Sequence, residues 1–232
     1  MAKQYEHIFF DLDHTLWDFD TNSKLALAQI FEEDGLKHIG VSSFEKFHEV
    51  YLPINNRYWA RYHHQAVSKE KLRVGRFFDT LAAFKINDIL LAERIAKKYT
   101  DISPKMTALF PEAIEVLQYL KAKYQLHLIT NGFAEVQWIK LEHSGLNPFF
   151  EHIIISDEVG TQKPDIAIFE LAMQRANTTA EKSVMIGDNY STDIVGAKNA
   201  GMDQIFFNPY NITRKGTGTY EIAHLSELKN LL

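Results

Sequence analysis

A doubly wound parallel α/β sheet carrying a small all-helical cap domain is the fold class this sequence predicts, and three observations predict it. Short β-rich apolar runs at residues 8–10, 126–129, 153–155, 184–186 and 205–207 supply five strands. Helical patterns separate the later runs, so strand, crossover and strand repeat in the manner of a parallel sheet covered on both faces, a Rossmann-like core. Between the first run and residue 106 the pattern is helix after helix, which assigns 1–16 and 105–232 to the α/β core and 17–104 to the cap.

Punctuation along the chain supports each element. Pro111 reads as the first-turn proline of one helix, Gly145 as the close of another, Pro164-Asp165 as the start of a third and Gly201 as the end of a fourth. Within the insertion, Ser42-Ser43-Phe44-Glu45 reads as a capping box, and Gly35, Gly40 and residues 101–104 read as breaks. The Gly/Thr-rich residues 216–219 read as a surface loop before a terminal helix ending at Leu232.

The bulk numbers bound the function. At 232 residues the chain is long enough to bury roughly 70–75% of its unfolded surface. It contains no cysteine, which excludes disulfides, thiolate zinc sites and a cysteine nucleophile and fits the cytoplasm. The opening residues lead into the first strand without an apolar signal core, and no run approaches the ~18 apolar residues of a membrane span. A net charge of −5 argues against a nucleic-acid polymer as partner. A small-molecule substrate and a monomer or weak homodimer are expected.

In a parallel sheet ligands bind beyond the carboxyl ends of the strands, and four ends here carry chemistry. Asp11 and Asp13 follow the first, Thr130-Asn131-Gly132 the second, Lys163-Pro164 lies beyond a third, and Gly187-Asp188 with Asp193 follows the fourth. Two carboxylates as close as Asp11 and Asp13 repel unless a cation or a shared proton compensates. This inventory suits phosphoryl transfer, in which positioning and charge neutralisation supply most of the catalysis. Asp11 would be the nucleophile and Asp13 the proton-transfer group, with Lys163 offsetting charge. Thr130 and the backbone N–H groups near Leu12, Asn131 and Gly132 would hold phosphate oxygens. Mg²⁺ is the expected cofactor; its candidate ligands are Asp11, Asp13, Asp188 and Asp193, with Asp11 and Asp188 foremost and Asp193 binding directly or through water.

The four motifs in order, D-x-D-x-T from Asp11 to Thr15, Thr130, Lys163-Pro164 and G-D-x-x-x-x-D from Gly187 to Asp193, resemble the haloacid dehalogenase-like hydrolase superfamily over the whole chain. That family places a helical cap directly after the first strand. Its dehalogenases lack a carboxylate at the place of Asp13, because halide leaves without a proton, so the resemblance implies a phosphatase. The opening Asp-Leu-Asp-His-Thr-Leu-Trp-Asp-Phe and the segment from Leu72 to Phe77 resemble the branch of non-specific pyrimidine 5′-nucleotidases. A pyrimidine nucleoside monophosphate such as UMP or dUMP is the implied substrate. Sugar-phosphate or phosphoglycolate hydrolysis, a hexose phosphomutase and a silent binding module are the alternatives.

The insertion also carries Arg57, Arg61, Arg73 and Arg76 interleaved with Tyr58, Trp59 and Tyr62. An aromatic core stripe with solvated cations is the reading favoured for most of them. His14 and Trp17 are expected to shape the junction with the cap, His63-His64 to be surface or hinge residues, and no zinc site is expected.

Overall fold

The structure, a computed structural model, describes residues 5–213, 216 and 218–232. The first four residues of the lead-in to the first strand, and Thr217 of the Gly/Thr-rich loop, lie outside the described residues. The elements run β1 (His7–Phe10), α1 (Phe19–Glu33), α2 (Phe44–His63), α3 (Lys69–Ala83), α4 (Ile89–Ile102), α5 (Ala113–Lys121), β2 (Gln125–Thr130) and α6 (Ala134–His143). They continue β3 (His152–Ile155), α7 (Ser156–Val159), α8 (Ile166–Arg175), β4 (Ser183–Gly187), α9 (Val195–Asn199), β5 (Asp203–Phe207), β6 (Tyr220–Ile222) and α10 (Leu228–Leu231). The chain divides into two compact units, Thr21–Met106 and the remainder.

The remainder is the α/β unit. Its six strands are all parallel in the order β3-β2-β1-β4-β5-β6. Strand β1 pairs with β2 on one edge and β4 on the other, so the order reverses beside it and a crevice is expected at the carboxyl ends of these strands. Phe9, Ile129, Ile154 and Met185 bury one face against Ile168, Phe169 and Ala172 of α8 and Ala197 of α9. Gly196 permits this packing, since a Cβ there would lie 2.5 Å from the Phe169 ring.

The structure corrects three local expectations. A sixth strand, β6, pairs with β5; with three residues, two of them exposed, it has no apolar run to betray it. Pro111 stands before its helix rather than in the first turn, because Glu112, with φ of 63°, cannot be helical and delays the start to Ala113. The cap of α2 is Ser43, whose hydroxyl accepts from the Lys46 N–H at 3.3 Å; Lys46 rather than Glu45 therefore sits three residues on, and the expected box is not made.

Strand register also gathers histidines that are far apart in sequence. Phe9 lies opposite His127, and His127 opposite His152. His7 Nδ1 and His127 Nε2 are 3.0 Å apart, and the His127 and His152 rings stack at 5.4 Å. Burial, with lesser repulsion from His7 and His152, lowers the His127 pKa to about 3.

The unit Thr21–Met106 is helical. Leu27, Ile30 and Phe31 of α1, Phe47 and Tyr51 of α2, Phe77 and Leu81 of α3, and Leu91, Ile95 and Tyr99 of α4 form its core. Ser43, Ser68 and Asp88 cap its last three helices by accepting from Lys46, Lys71 and Leu91 N–H groups. Tyr51 and Tyr58 are buried, Tyr58 donates to Asp79, and Arg57 pairs with Asp79 at 3.1 Å in solvent. Arg76 departs from the other arginines: it is buried, bonds Asn55 at 2.7 Å and lies about 5 Å from the Phe77 and Tyr99 rings. Among the described residues no helix is long and apolar enough to cross a membrane.

Candidate active site

The site grows from the turn that follows β1. The Asp11 N–H continues the pairing by donating to the Ile186 carbonyl at 2.9 Å. Beyond it a single acceptor, the Leu12 carbonyl, takes N–H groups from Thr15, Leu16 and Trp17. His14 adopts φ of 64°, a conformation unusual for a side-chain-bearing residue, and closes the turn by donating to the Trp17 carbonyl at 3.0 Å. The two aspartates of D-x-D thus leave one tight turn and enter different surroundings.

Asp11 enters an acidic corner. Oxygens of Asp11, Asp188 and Asp193 all lie within 4.8 Å of one another. Asp193 reaches there from the turn after β4 because Gly187 has no Cβ; one would collide with its carboxylate. The ammonium of Lys163 is joined to this group, contacting Asp11 at 2.5 Å and Asp193 at 2.7 Å. Its third hydrogen meets the Ile129 carbonyl at 2.8 Å. Asn131 clamps the Lys163 backbone in both directions, donating to its carbonyl at 2.9 Å and accepting its N–H at 2.8 Å. The Thr15 hydroxyl accepts the Asp188 N–H at 3.1 Å and lies 3.4 Å from both the Asp11 and Asp188 carboxylates, tying the β1 and β4 ends together.

Three carboxylates against one ammonium leave the corner short of positive charge. Burial raises the pKa of Asp11, and the nearby Asp193 adds to this against the opposing pull of Lys163. Burial likewise raises Asp188 well above the usual carboxylate range, helped by Asp11 and Asp193. Burial works against the Lys163 ammonium too, but Asp11 and Asp193 overcome it and hold its pKa above that of an ordinary lysine. All-oxygen donors, close convergence and uncompensated negative charge are what a hard divalent cation requires, so the residues present fit one.

Asp13 enters a balanced corner. Its Oδ1 meets the Lys140 ammonium at 2.6 Å and its Oδ2 accepts from the Gln137 amide at 2.9 Å. The same amide donates to Thr130 Oγ1 at 2.6 Å. Gly132 makes room for this, because a Cβ there would overlap the Gln137 side chain. Lys140 lies 4.3 Å above the ring centre of the fully buried Trp17.

The fold therefore brings Asp11, Lys163, Asp188 and Asp193 into one cluster and joins Asp13 to Thr130 through Gln137. Asp13, counted from the sequence among the metal ligands, has both side-chain oxygens committed to Lys140 and Gln137 outside the three-carboxylate group. Asn131 holds Lys163, and Gly132 accommodates Gln137. Gln137 and Lys140 belong to no sequence motif; their spacing of three on α6, just past Thr130-Asn131-Gly132, is the signal that puts them on one helix face.

Residues 8–207 match the haloacid dehalogenase-like hydrolase family. The chain is 33% identical to the pyrimidine 5′-nucleotidase PynA of Streptococcus pneumoniae, across 98% of this chain and 95% of that protein. It is 31% identical to a glyceraldehyde 3-phosphate phosphatase of Methanothermobacter thermautotrophicus, across 97% and 98%. Among solved structures, the HAD-hydrolase YfnB of Bacillus subtilis bound to magnesium superposes with a TM-score of 0.89 at 28% identity, covering 99% of each chain.

Proposed function

This chain belongs to the haloacid dehalogenase-like hydrolase family, and from that premise we propose that it is a Mg²⁺-dependent phosphomonoesterase acting through an aspartyl-phosphate, with pyrimidine nucleoside 5′-monophosphates as substrates. The observation that carries the reading is the contrast between the acidic corner of Asp11 and the hydrogen-bonded corner of Asp13. A nucleophile beside a cation site and a separate, oriented carboxyl group are what hydrolysis of a phosphate ester needs, since its alkoxide must be protonated as it leaves.

In the first half-reaction a carboxylate oxygen of Asp11 forms a bond to phosphorus while the ester P–O bond breaks, and the departing oxygen takes a proton from Asp13, which enters this step as the carboxylic acid and leaves it as the carboxylate paired with Lys140. In the second, the Asp13 carboxylate takes a proton from water, the water oxygen bonds to phosphorus, and the bond from phosphorus to Asp11 breaks. The net change is one ester and one water to one alcohol and one phosphate. Thr130 receives its hydrogen bond from Gln137, which leaves its own hydroxyl hydrogen available to a phosphoryl oxygen. The N–H groups near Leu12, Asn131 and Gly132 complete the cradle. A divalent cation held by Asp11, Asp188 and Asp193 would supply neutralisation of the phosphoryl charge. Magnesium in the YfnB structure supports that choice of ion.

The PynA match favours a pyrimidine nucleotide; the match to a glyceraldehyde 3-phosphate phosphatase supports a small sugar phosphate as the second reading. The cysteine-free composition suits the cytoplasm, as a monomer or weak homodimer. Phosphate release is to be measured across pyrimidine and purine monophosphates, sugar phosphates, phosphoglycolate and para-nitrophenyl phosphate, with Mg²⁺ and with chelator. Metal-dependent release strongest on UMP or dUMP is expected. Preference for a triose phosphate would replace the substrate and keep the chemistry, and no release from any compound would remove the phosphatase reading.

A further inference from the structure

Lys140 is an unusual residue to find where it is. Its side chain is only 5% exposed, and it carries a full charge into the protein on α6. Burying an ammonium is costly unless good partners repay it. Here the partners are one oxygen of Asp13 at 2.6 Å and the faces of Trp17 at 4.3 Å and Phe19 at 5.5 Å. One turn earlier on the same helix, the fully buried Gln137 holds the other oxygen of Asp13 and also Thr130. Asp13 is thus gripped at both oxygens from one helix face. A carboxylate left to itself at the end of a turn would sample several rotamers; this one has a single orientation in which both contacts are met.

Resting on the phosphatase reading above, we propose that Lys140, with Gln137, is a positioning residue that fixes the Asp13 carboxyl group for its two proton transfers and sets its placement relative to Thr130. A bond that merely tied α6 to the turn after β1 would not need both oxygens of the same carboxylate, nor an amide shared with Thr130. The space left by Gly132 serves the same end, since any larger residue there would displace Gln137.

The test separates orientation of Asp13 from general damage. An alkoxide from UMP needs a proton to leave, whereas para-nitrophenolate does not, so the aryl ester depends on Asp13 only in the second half-reaction. Lys140→Met is expected to lose about 10- to 100-fold in kcat on UMP, the range for a misplaced proton-transfer group, with KM changed less than about twofold. On para-nitrophenyl phosphate the same variant should release a rapid burst of nitrophenolate equal to the enzyme concentration and then turn over slowly. Lys140→Arg, which keeps charge and donors, should recover part of the loss. If Lys140→Met fails to fold, Gln137→Leu is read in its place with the same burst expected. Equal losses on both esters without a burst, or no loss at all, would overturn the proposal while leaving the phosphatase reading intact. Absence of phosphate release by the wild type would overturn both.

Discussion

Asp11 and Asp13 stand two residues apart in one turn, yet their surroundings obey opposite electrostatics. Around Asp11, three carboxylates share the Lys163 ammonium, and burial raises the proton affinity of Asp11 and Asp188. Around Asp13, one carboxylate meets one ammonium and one amide. Excess negative charge is tolerated only where something outside the chain completes it, whereas a balanced ion pair fixes geometry and needs no ligand. On this difference rests our proposal that cation and phosphorus belong to the first corner and proton transfer to the second.

Removal of Asp11 has the largest expected effect. Asp11→Asn is expected to lower turnover by at least about 10³-fold, because an amide is a poor nucleophile and a neutral metal ligand. Continued turnover, measured by phosphate release, would show that the acidic corner does something else. A calorimetric test comes next. Magnesium at 100 times its Kd should stabilise the wild type by about 2.7 kcal/mol. Asp188→Asn should unfold at a higher temperature than the wild type without metal, since one repelling carboxylate is gone, and should gain little from Mg²⁺. A lower metal-free melting temperature for this variant would mean that the three carboxylates are not in surplus.

Gly187→Ala sharpens the same contrast at smaller scale. The new methyl group would push Asp193 out of the corner, costing about 1–3 kcal/mol and weakening the response to magnesium. A third region, away from the aspartates, gives the smallest effect. His127 has a folded pKa near 3 against 6.5 when unfolded, so the unfolded chain binds the proton first. Its contribution is complete above about pH 6.5 and is lost as pH falls toward 3, about 1–2 kcal/mol between pH 7 and pH 5. His127→Phe should flatten that slope in denaturant titrations at several pH values.

The sheet was legible because parallel strands buried on both faces read as apolar runs, and β6 was not because Tyr220-Glu221-Ile222 offers no run at all. The acidic corner was legible for a related reason. Carboxylates at strand ends stand next to the very runs that announce the strands, so Asp11 and Asp188 could be placed from local pattern. Asp193 and Lys163 followed from motif spacing. Lys140 and Gln137 were not legible, because they lie on a helix surface where lysine and glutamine are ordinary residues. Only the tertiary approach of α6 to the turn after β1 turns them into partners of Asp13. The histidine row failed for the same reason: register across three strands, not sequence distance, joins His7, His127 and His152.

In the proposed reaction the phosphoryl group passes to Asp11 and is released with the help of Asp13. The most direct measurement is rapid acid quench of the protein with para-nitrophenyl phosphate, whose leaving group needs no proton from Asp13, and Mg²⁺, followed by peptide mass spectrometry, comparing wild type with Asp13→Asn. One phosphoryl group on Asp11, accumulating further in Asp13→Asn, is the predicted result. Phosphate release by the wild type without phosphorylation of Asp11, in either protein, would contradict the account.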